Sequence, residues 1–461
     1  MRKAAKTRDV VVAGAGLAGC LLAILLAKQG HRVRIFERRG DPRKVDRSDG
    51  RSINLALAQR GISALQQAGV AEKAMRWALP MHGRMIHTQD GQTQFQRYGS
   101  KARECIHSMH RESLNQCLLD EAEQAGVEVQ FHRQIAQYQA QAGMLVFDDG
   151  DAVDLSDKLL IGADGAGSMV RKGLLDGQPL AGVEWLDHGY RELTIPPKAG
   201  RFAMDAGALH IWPRGGYMLI ALPNPDRSFT ATLFLPHGGA PGFEQLQDAS
   251  AIEQFFRQQF PDALDAMPEL QQEFQDNPVG RLGTLHCRQW HDKRTVLIGD
   301  AAHAIVPFHG QGMNAGFEDC VLLARLLREE SGVPERAFAA FQRQRQPDTN
   351  AIARMALENY IEMRDSVSDP RFLIRKKLEQ QLEAHFPEYF IPRYSLVMFH
   401  TLPYAEVYER GLANKAVLDS IMNRYEDPLE VDPAKFGARV RALGKIHPDP
   451  ARALHPVALE V

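Results

Sequence analysis

Residues 9–19 read DVVVAGAGLAG, and the reading of this stretch decides the fold. Asp9, Val10, Val11, Val12 and Ala13 have the β-branched, apolar character of a parallel strand buried on both faces. Gly14, Gly16 and Gly19 follow in the spacing GxGxxG, and an apolar helix is predicted over 17–29, closed by Gly30. In that spacing the first glycine permits a tight turn, the second lets backbone approach a pyrophosphate, and the third lets helix pack on strand. The helix N-terminus then receives the negative phosphates. A second strand over 31–37 alternates apolar and basic residues and ends on Glu37, at the distance where a carboxylate accepts from a ribose hydroxyl. Strand, glycine turn, helix and acid in this order point to a bound dinucleotide. A glycine-rich packing turn in some other α/β protein is the alternative.

Composition narrows the class. A chain of 461 residues, 44% hydrophobic and 24% charged, suits a soluble globular protein of two or three lobes. Its 55 basic and 57 acidic residues nearly cancel, so the charge footprint of a nucleic-acid binder or a polybasic membrane-surface protein is missing. A small-molecule partner is expected, with no nucleic acid. Cys20, Cys105, Cys117, Cys287 and Cys320 are scattered and odd in number, which suggests neither a disulfide framework nor a metal site and fits a reducing cytoplasm. The uncharged run 10–27, behind the basic MRKAAKTRD, has the length of a signal peptide or a marginal membrane span. Glycines break it where a helix would have to continue, and no other stretch approaches spanning length, so no membrane anchor is expected.

Two later motifs specify the dinucleotide. Residues 159–171, LLIGADGAGSMVR, run an apolar strand into a turn containing Asp164 and then a serine and an arginine. Residues 295–303, TVLIGDAAH, end another strand in Gly-Asp, with Pro307, Gly310, Gly312, Asn314, Glu318 and Asp319 beyond it. A strand that delivers Asp300 to a sheet edge lets its carboxylate accept from a ligand hydroxyl, and the glycines after it leave backbone N–H groups open to a ring. Asp300 reads equally as a helix N-cap. These segments resemble the DG and GD fingerprints of flavin hydroxylases, and three such fingerprints in order point to FAD. No second GxGxxG is present, so the resemblance implies NADPH as a transient reductant held on the same lobe.

Between the second and third fingerprints the texture changes to short alternating strands over 208–213, 216–222 and 228–235, an antiparallel sheet that would wall a substrate cavity. Helices are predicted over 317–330 and 335–362. Leu378, Leu382 and Phe386 then mark an amphipathic helix of a small C-terminal lobe, and beyond about Pro428 the tail reads as irregular. The expected fold is α/β: a Rossmann-type FAD-binding lobe, an inserted antiparallel substrate sheet and a helical lobe. Its divisions are 1–180 (with a substrate-lobe segment at about 75–105), 181–280, 281–365 and 366–461.

Residues 50–57, GRSINLAL, together with Gly83-Arg84-Met85, Tyr98-Gly99, 306–314 (VPFHGQGMN), 355–360 (MALENY) and 390–395 (FIPRYS), resemble the kynurenine 3-monooxygenase family of FAD-dependent aromatic hydroxylases, a likeness running from about 9 to 405. The resemblance implies that Arg84, Tyr98, Asn359 and Tyr394 bind the amino-acid end of L-kynurenine. Met218, Ile220, Phe234 and Pro307 would enclose its ring, with Phe308 and His309 at the oxygen-transfer site. Gly14, Gly16, Gly19, Glu37, Ala56, Arg111, Asp164, Asp300, Gly312, Met313 and Asn314 would hold FAD. Eukaryotic members commonly carry Phe at the position of His309 and end in a membrane anchor absent here, so the soluble bacterial branch is expected, as monomer or homodimer.

The residues alone leave alternatives open. Arg84 reads as a surface ion pair, Tyr98 and Tyr394 as half-buried tyrosines, Asn359 as a solvent-facing helix residue, and His309 as structural or as a proton relay. The implied reaction uses NADPH and O2 to hydroxylate the ring carbon beside the aniline nitrogen, a step of the kynurenine pathway of tryptophan catabolism. The ortho amino group already donates electrons, so no catalytic base is required. Other readings are a hydroxylase of another aromatic acid, a flavin-dependent saturase or dehydrogenase, and a non-catalytic FAD module.

Overall fold

The computed structural model describes residues 7–44, 54–99, 101, 104–179, 181–330, 333–366 and 369–446. The glycine motif sits at the centre of a six-stranded sheet. Strand Asp9–Ala13 lies between Arg32–Phe36 and Leu159–Gly162, parallel to both, with Glu128–Gln130 outside the first and Thr295–Leu297 outside the second. A short antiparallel strand, His291–Asp292, closes that edge. Chain order reverses across the first strand, and its carboxyl end is therefore the crevice where open α/β sheets take ligands. Val10, Val11 and Val12 are buried on both faces, as a strand covered by helices requires. One of those helices is Leu17–Lys28, and Gly312–Glu329 packs against it.

A seven-stranded sheet forms the second lobe. Its order is Gly280–Cys287, Ala181–Ile195, Phe229–Pro236, Met218–Pro223, Ala208–Pro213, Gly83–His87, Thr93–Arg97. The last two strands come from the 75–105 segment. Two sequence expectations are corrected here. The sheet is not purely antiparallel, because Ala208–Pro213 and Gly83–His87 run parallel. Its first strand reaches Cys287, past the expected boundary at 280, since pairing with Ala181–Ile195 satisfies backbone that would otherwise be an open edge. One face packs on helices Ala249–Gln259 and Leu270–Asp276 through Trp212, Phe229, Phe256 and Phe274. The other face looks toward the FAD-binding lobe.

Helix Pro334–Ile361 runs from the parallel sheet to this junction and continues as a π-turn, Glu362–Ser366. Helices Pro370–His385, Arg393–Phe399 and Tyr404–Met422 make the C-terminal lobe, with Leu378, Leu382, Phe386 and Phe390 in its core. The tail is more ordered than its prolines suggest. Helix Gly437–Arg441 and the turn before it bury Phe436 and Val440 in the same core, and that burial outweighs local propensity. Of the 50–57 segment, residues 50–53 lie outside the described residues. Among the described residues no helix is long and apolar enough to cross a membrane, and no cluster of three His, Cys, Asp or Glu side chains is suited to a metal. All five cysteines are free.

Candidate active site

The three glycines divide the work by geometry. Gly14 has φ +99°, and a Cβ there would lie 2.6 Å from the Ala163 carbonyl oxygen, so only glycine makes the turn. A Cβ on Gly19 would lie 2.1 Å from the Gly14 carbonyl oxygen, which fixes how closely the helix approaches the strand. A Cβ on Gly16 would meet nothing within 4 Å, so the space beside its backbone is open at the crevice. Glu37 braces this loop: one carboxylate oxygen accepts from Ala15 N and the other from Arg39 N, both at 2.9 Å.

The two later fingerprints meet in space. Arg171 donates to the carbonyls of Ala166 and Ala301, tying one turn to the other. Asp164 Oδ2 accepts from Met169 N and Val170 N, capping helix Met169–Leu175. Its Oδ1 is buried with no described partner, and that burial raises the carboxyl's pKa. Asp300 is exposed to the cavity and makes no hydrogen bond to a described residue. The N-cap of its short helix is Gly299, so the alternative reading of Asp300 as a cap is set aside. Asn314 is saturated by protein: Oδ1 accepts from Ala58 N at 3.0 Å, and Nδ2 donates to Ala56 O and Gly310 O. Its side chain locks the two loops that flank the crevice. Gly312 and Met313 open the 18-residue helix Gly312–Glu329. Arg111 is exposed at the start of helix Arg111–Gln124, outside the cavity walls. An open glycine cradle, an unpaired carboxylate and an orphaned buried oxygen at one crevice fit a dinucleotide such as FAD.

Beside this crevice lies a cavity of about 670 Å³. Ala56, Asp300 and Gly167 line the crevice side, and Met218, Ile220, Phe234, Pro307 and Phe308 the middle. Arg84, His309, Asn359 and Tyr394 line the far end. The guanidinium of Arg84 is buried, 4.6 Å from the Tyr394 ring centre, 5.7 Å from that of Tyr98 and 3.8 Å from Glu362 Oε1. Burial disfavours its charge, but Tyr394, Tyr98 and Glu362 outweigh that and raise its pKa. Tyr98 sits behind Tyr394, stacked at 5.3 Å. Two buried donors here have no described partner: Arg84 Nε and the Tyr98 hydroxyl. The surface reading of Arg84 and the solvent-facing reading of Asn359 are both overturned, since each is under a tenth exposed.

Asn359 Nδ2 donates to the Phe308 carbonyl at 2.7 Å, and the Tyr360 ring stacks on Phe308 at 3.8 Å, so the turn Pro307–His309 is held from one helix. His309 stacks on Tyr394 at 5.5 Å. Burial pushes its pKa down to about 3, leaving a neutral ring near pH 7. Sequence reasoning missed Glu362 and Lys376. Glu362 lies three residues beyond Asn359, a spacing that puts both on one side of a helix and gave the only available clue. Burial opposes its ionisation, while Lys376 at 3.6 Å and Arg84 hold its pKa low.

Below the crevice is a closed ionic network. Asp319 accepts from Gly299 N and Arg345 Nε, with His303 Nε2 at 2.5 Å. Arg345 also reaches Glu318 and Asp348, and Glu318 pairs with Arg60, which donates to Val397 O and Leu402 O in the C-terminal lobe.

Comparison with known proteins identifies the family. Residues 7–356 match the family described as FAD binding domain. The chain is 49% identical to kynurenine 3-monooxygenase of Stenotrophomonas maltophilia (strain K279a) over 95% of this chain and 97% of that one. It is 48% identical to the enzyme of the same name from Xanthomonas campestris pv. campestris (strain 8004), over 94% and 96%. Among solved structures, 2-methyl-3-hydroxypyridine-5-carboxylic acid oxygenase superposes with TM-score 0.66 at 21% identity, covering 80% of this chain and 95% of that one. PqsL of P. aeruginosa, in complex with 2-aminobenzoylacetate, gives 0.64 at 22%, covering 78% and 97%. At such identities these two bear on the fold alone.

Proposed function

The chain belongs to the kynurenine 3-monooxygenase family of FAD-binding proteins, and from that membership we propose how its own residues hydroxylate L-kynurenine at the 3-position. The reaction balances as L-kynurenine, NADPH, a proton and O2 giving 3-hydroxy-L-kynurenine, NADP+ and water. FAD bound in the glycine cradle supplies the redox chemistry and oxygen activation. Gly14, Gly16 and Gly19 accommodate its pyrophosphate, and Asp300 accepts from one of its hydroxyls.

The observation that carries the substrate reading is the pair of buried, unpartnered donors, Arg84 Nε and the Tyr98 hydroxyl, beside Tyr394. A planar guanidinium matches a carboxylate, and buried donors without partners are costly unless a ligand satisfies them. Glu362, 3.8 Å from Arg84, is the carboxylate we assign to the substrate ammonium. A zwitterionic amino acid therefore fits this end better than a simple aromatic acid. The aminophenyl ring then lies among Met218, Ile220, Phe234 and Phe308, which exclude water from the reacting carbon. Asn359 positions Phe308 through its backbone. His309 contributes a neutral ring and no acidic proton. The charge balance and free cysteines support a cytoplasmic enzyme acting on a small molecule.

Kynuramine keeps the ring and amine and lacks the carboxylate, so it tests the clamp. Removing one partner of such a pair costs about 2–5 kcal/mol, or roughly thirty- to several-thousand-fold in kcat/KM. Arg84→Met is expected to lower kcat/KM for L-kynurenine by that factor while changing kynuramine little. Tyr98→Phe moves the ratio the same way by less, because it deletes one neutral hydrogen bond. A parental kynurenine-to-kynuramine ratio in Arg84→Met overturns the assignment.

A further inference from the structure

One part of the cavity rim is used neither by the crevice nor by the carboxylate clamp. Strand Ala181–Ile195 pairs there with Gly280–Cys287, setting Trp185 opposite Gly283 and Val183 opposite Leu285. A Cβ on Gly283 would lie 2.7 Å from both the Trp185 ring and the Val183 side chain, so the glycine makes room for the indole to lie against the sheet. Trp185 is nevertheless 50% exposed and Val183 39%, and both line the cavity. The Arg281 guanidinium sits 3.9 Å from the Trp185 ring centre, and that stacking is its contact with the protein: it makes no hydrogen bond or ion pair to a described residue. Leu285 N donates to Ala304 O, which anchors this strand directly to the loop that carries Asp300.

Trp185 and Val183 together leave a patch of apolar surface open at the cavity mouth, suited to the face of a flat ring. A guanidinium lying over an indole with no described hydrogen-bonding partner has N–H donors to offer, and its fork can take a phosphate in bidentate fashion. The ligand indicated is anionic and carries a flat ring. The reductant has this chemistry, with phosphates and a purine, and it must reach the crevice from solvent. The sequence offers it no second glycine-rich helix terminus to neutralise its phosphates. We propose that Trp185 and Arg281 dock the phosphate-bearing adenosine end of the nicotinamide coenzyme at the cavity mouth. The proposal rests on the reading of the chain as an NADPH-dependent hydroxylase.

The test uses the FAD-loaded protein and NADP+, which binds without reducing. Isothermal titration is expected to show Arg281→Ala weakening NADP+ about ten-fold or more, with Arg281→Lys in between because it keeps charge but not the fork. Trp185→Leu should weaken NADP+ as well and remove the indole fluorescence change that NADP+ produces in the parent. FAD content and the kynurenine-induced change in flavin absorbance should match the parent in all three. Parental NADP+ affinity in both Arg281→Ala and Trp185→Leu overturns the site. Loss of FAD from either purified variant overturns it too, by showing that the pair is a wall of the flavin site. Kynurenine-stimulated NADPH oxidation by the parent, measured alongside, checks the underlying reading separately: its absence overturns that reading, whereas a parent that turns over while the variants bind NADP+ normally overturns only the docking site.

Discussion

Arg345 and Arg84 are both buried arginines near carboxylates, and they are built for opposite purposes. Arg345 engages every guanidinium nitrogen with the protein: Nε goes to Asp319 at 2.7 Å, Nη1 to Glu318 and Asp348 at 3.0 and 3.2 Å, and Nη2 to the Ala315 carbonyl. Arg84 has one carboxylate at 3.8 Å, two aromatic rings, and an Nε that meets no described acceptor. Burial is equal, so burial does not separate scaffold from site. The difference lies in how many donors remain unspent. A saturated buried cation fixes elements to one another, and an under-coordinated one holds a place for a ligand.

The sharpest way to break this comparison is to remove each charge in turn. Arg345→Met leaves Asp319 with His303 and Glu318 with Arg60 but takes the cation from Asp348 and the shared one from all three, and breaking a buried pair costs about 3–5 kcal/mol. Thermal melting should fall steeply, and FAD should be lost with it, because Asp319 also holds Gly299 N. Arg84→Met leaves Glu362 still paired with Lys376. Its melting temperature should move little, while discrimination for the substrate carboxylate collapses. Equal destabilisation by the two substitutions would mean that donor saturation does not distinguish their roles.

Asp300 extends the contrast to the crevice. Like Arg84 it carries an unspent charge, and Asp319, on the helix that follows, does not. Asp300→Ala should weaken FAD retention by about 1.5–3 kcal/mol, measured by equilibrium dialysis, with no comparable loss of apoprotein stability. Parental FAD affinity would mean that its carboxylate accepts nothing from the cofactor.

How far the sequence made this legible follows the same divide. The glycine loop and the strand ends that carry Glu37 and Asp300 could be placed in the fold because their spacing is local and each is tied to one backbone geometry. The strands flanking the loop could be read because valine runs and turn residues leave few choices. Glu362 and Lys376 could not, because nothing near them in sequence says that a helix end and a different helix converge on Arg84 across the fold. The parallel pairing of Gly83–His87 with Ala208–Pro213 was hidden for the same reason, since a pairing between distant segments leaves no period in either. Asn314 has a part that its motif position does not show: its side-chain amide is consumed by Ala56, Ala58 and Gly310.

Glu383 gives a smaller effect and a pH dependence. It is buried on helix Pro370–His385, where desolvation first and the nearby Glu104 carboxylate second push its pKa up to about 7. Unfolded, it titrates near the usual value of about 4.3. Between those values the folded chain holds a proton that the unfolded chain has released. Stability therefore falls as pH rises through this window, and the full penalty stands above about pH 7. Glu383→Gln should stabilise the C-terminal lobe by about 1–3 kcal/mol near pH 8, by less near pH 6, and flatten the slope between them. An unchanged slope in hydrogen exchange of this lobe would place the titration elsewhere.

The smallest expected effect is at His309, which shares a ring stack with Tyr394 at the clamp end yet carries no charge to spend. Its pKa of about 3 leaves it neutral from acid to base across the working range, so it neither donates a proton to the substrate nor repels Arg84. What remains is a flat ring over Tyr394, and a phenyl ring supplies the same contact. His309→Phe is therefore expected to keep kcat/KM for L-kynurenine within about three-fold of the parent, with pH–rate profiles that superimpose between about pH 6 and 9. The more telling result is the shape of the profile. If the parent shows an ionisation near neutrality that the phenylalanine variant lacks, the ring is charged during turnover, and the clamp holds two cations beside Tyr394 instead of one.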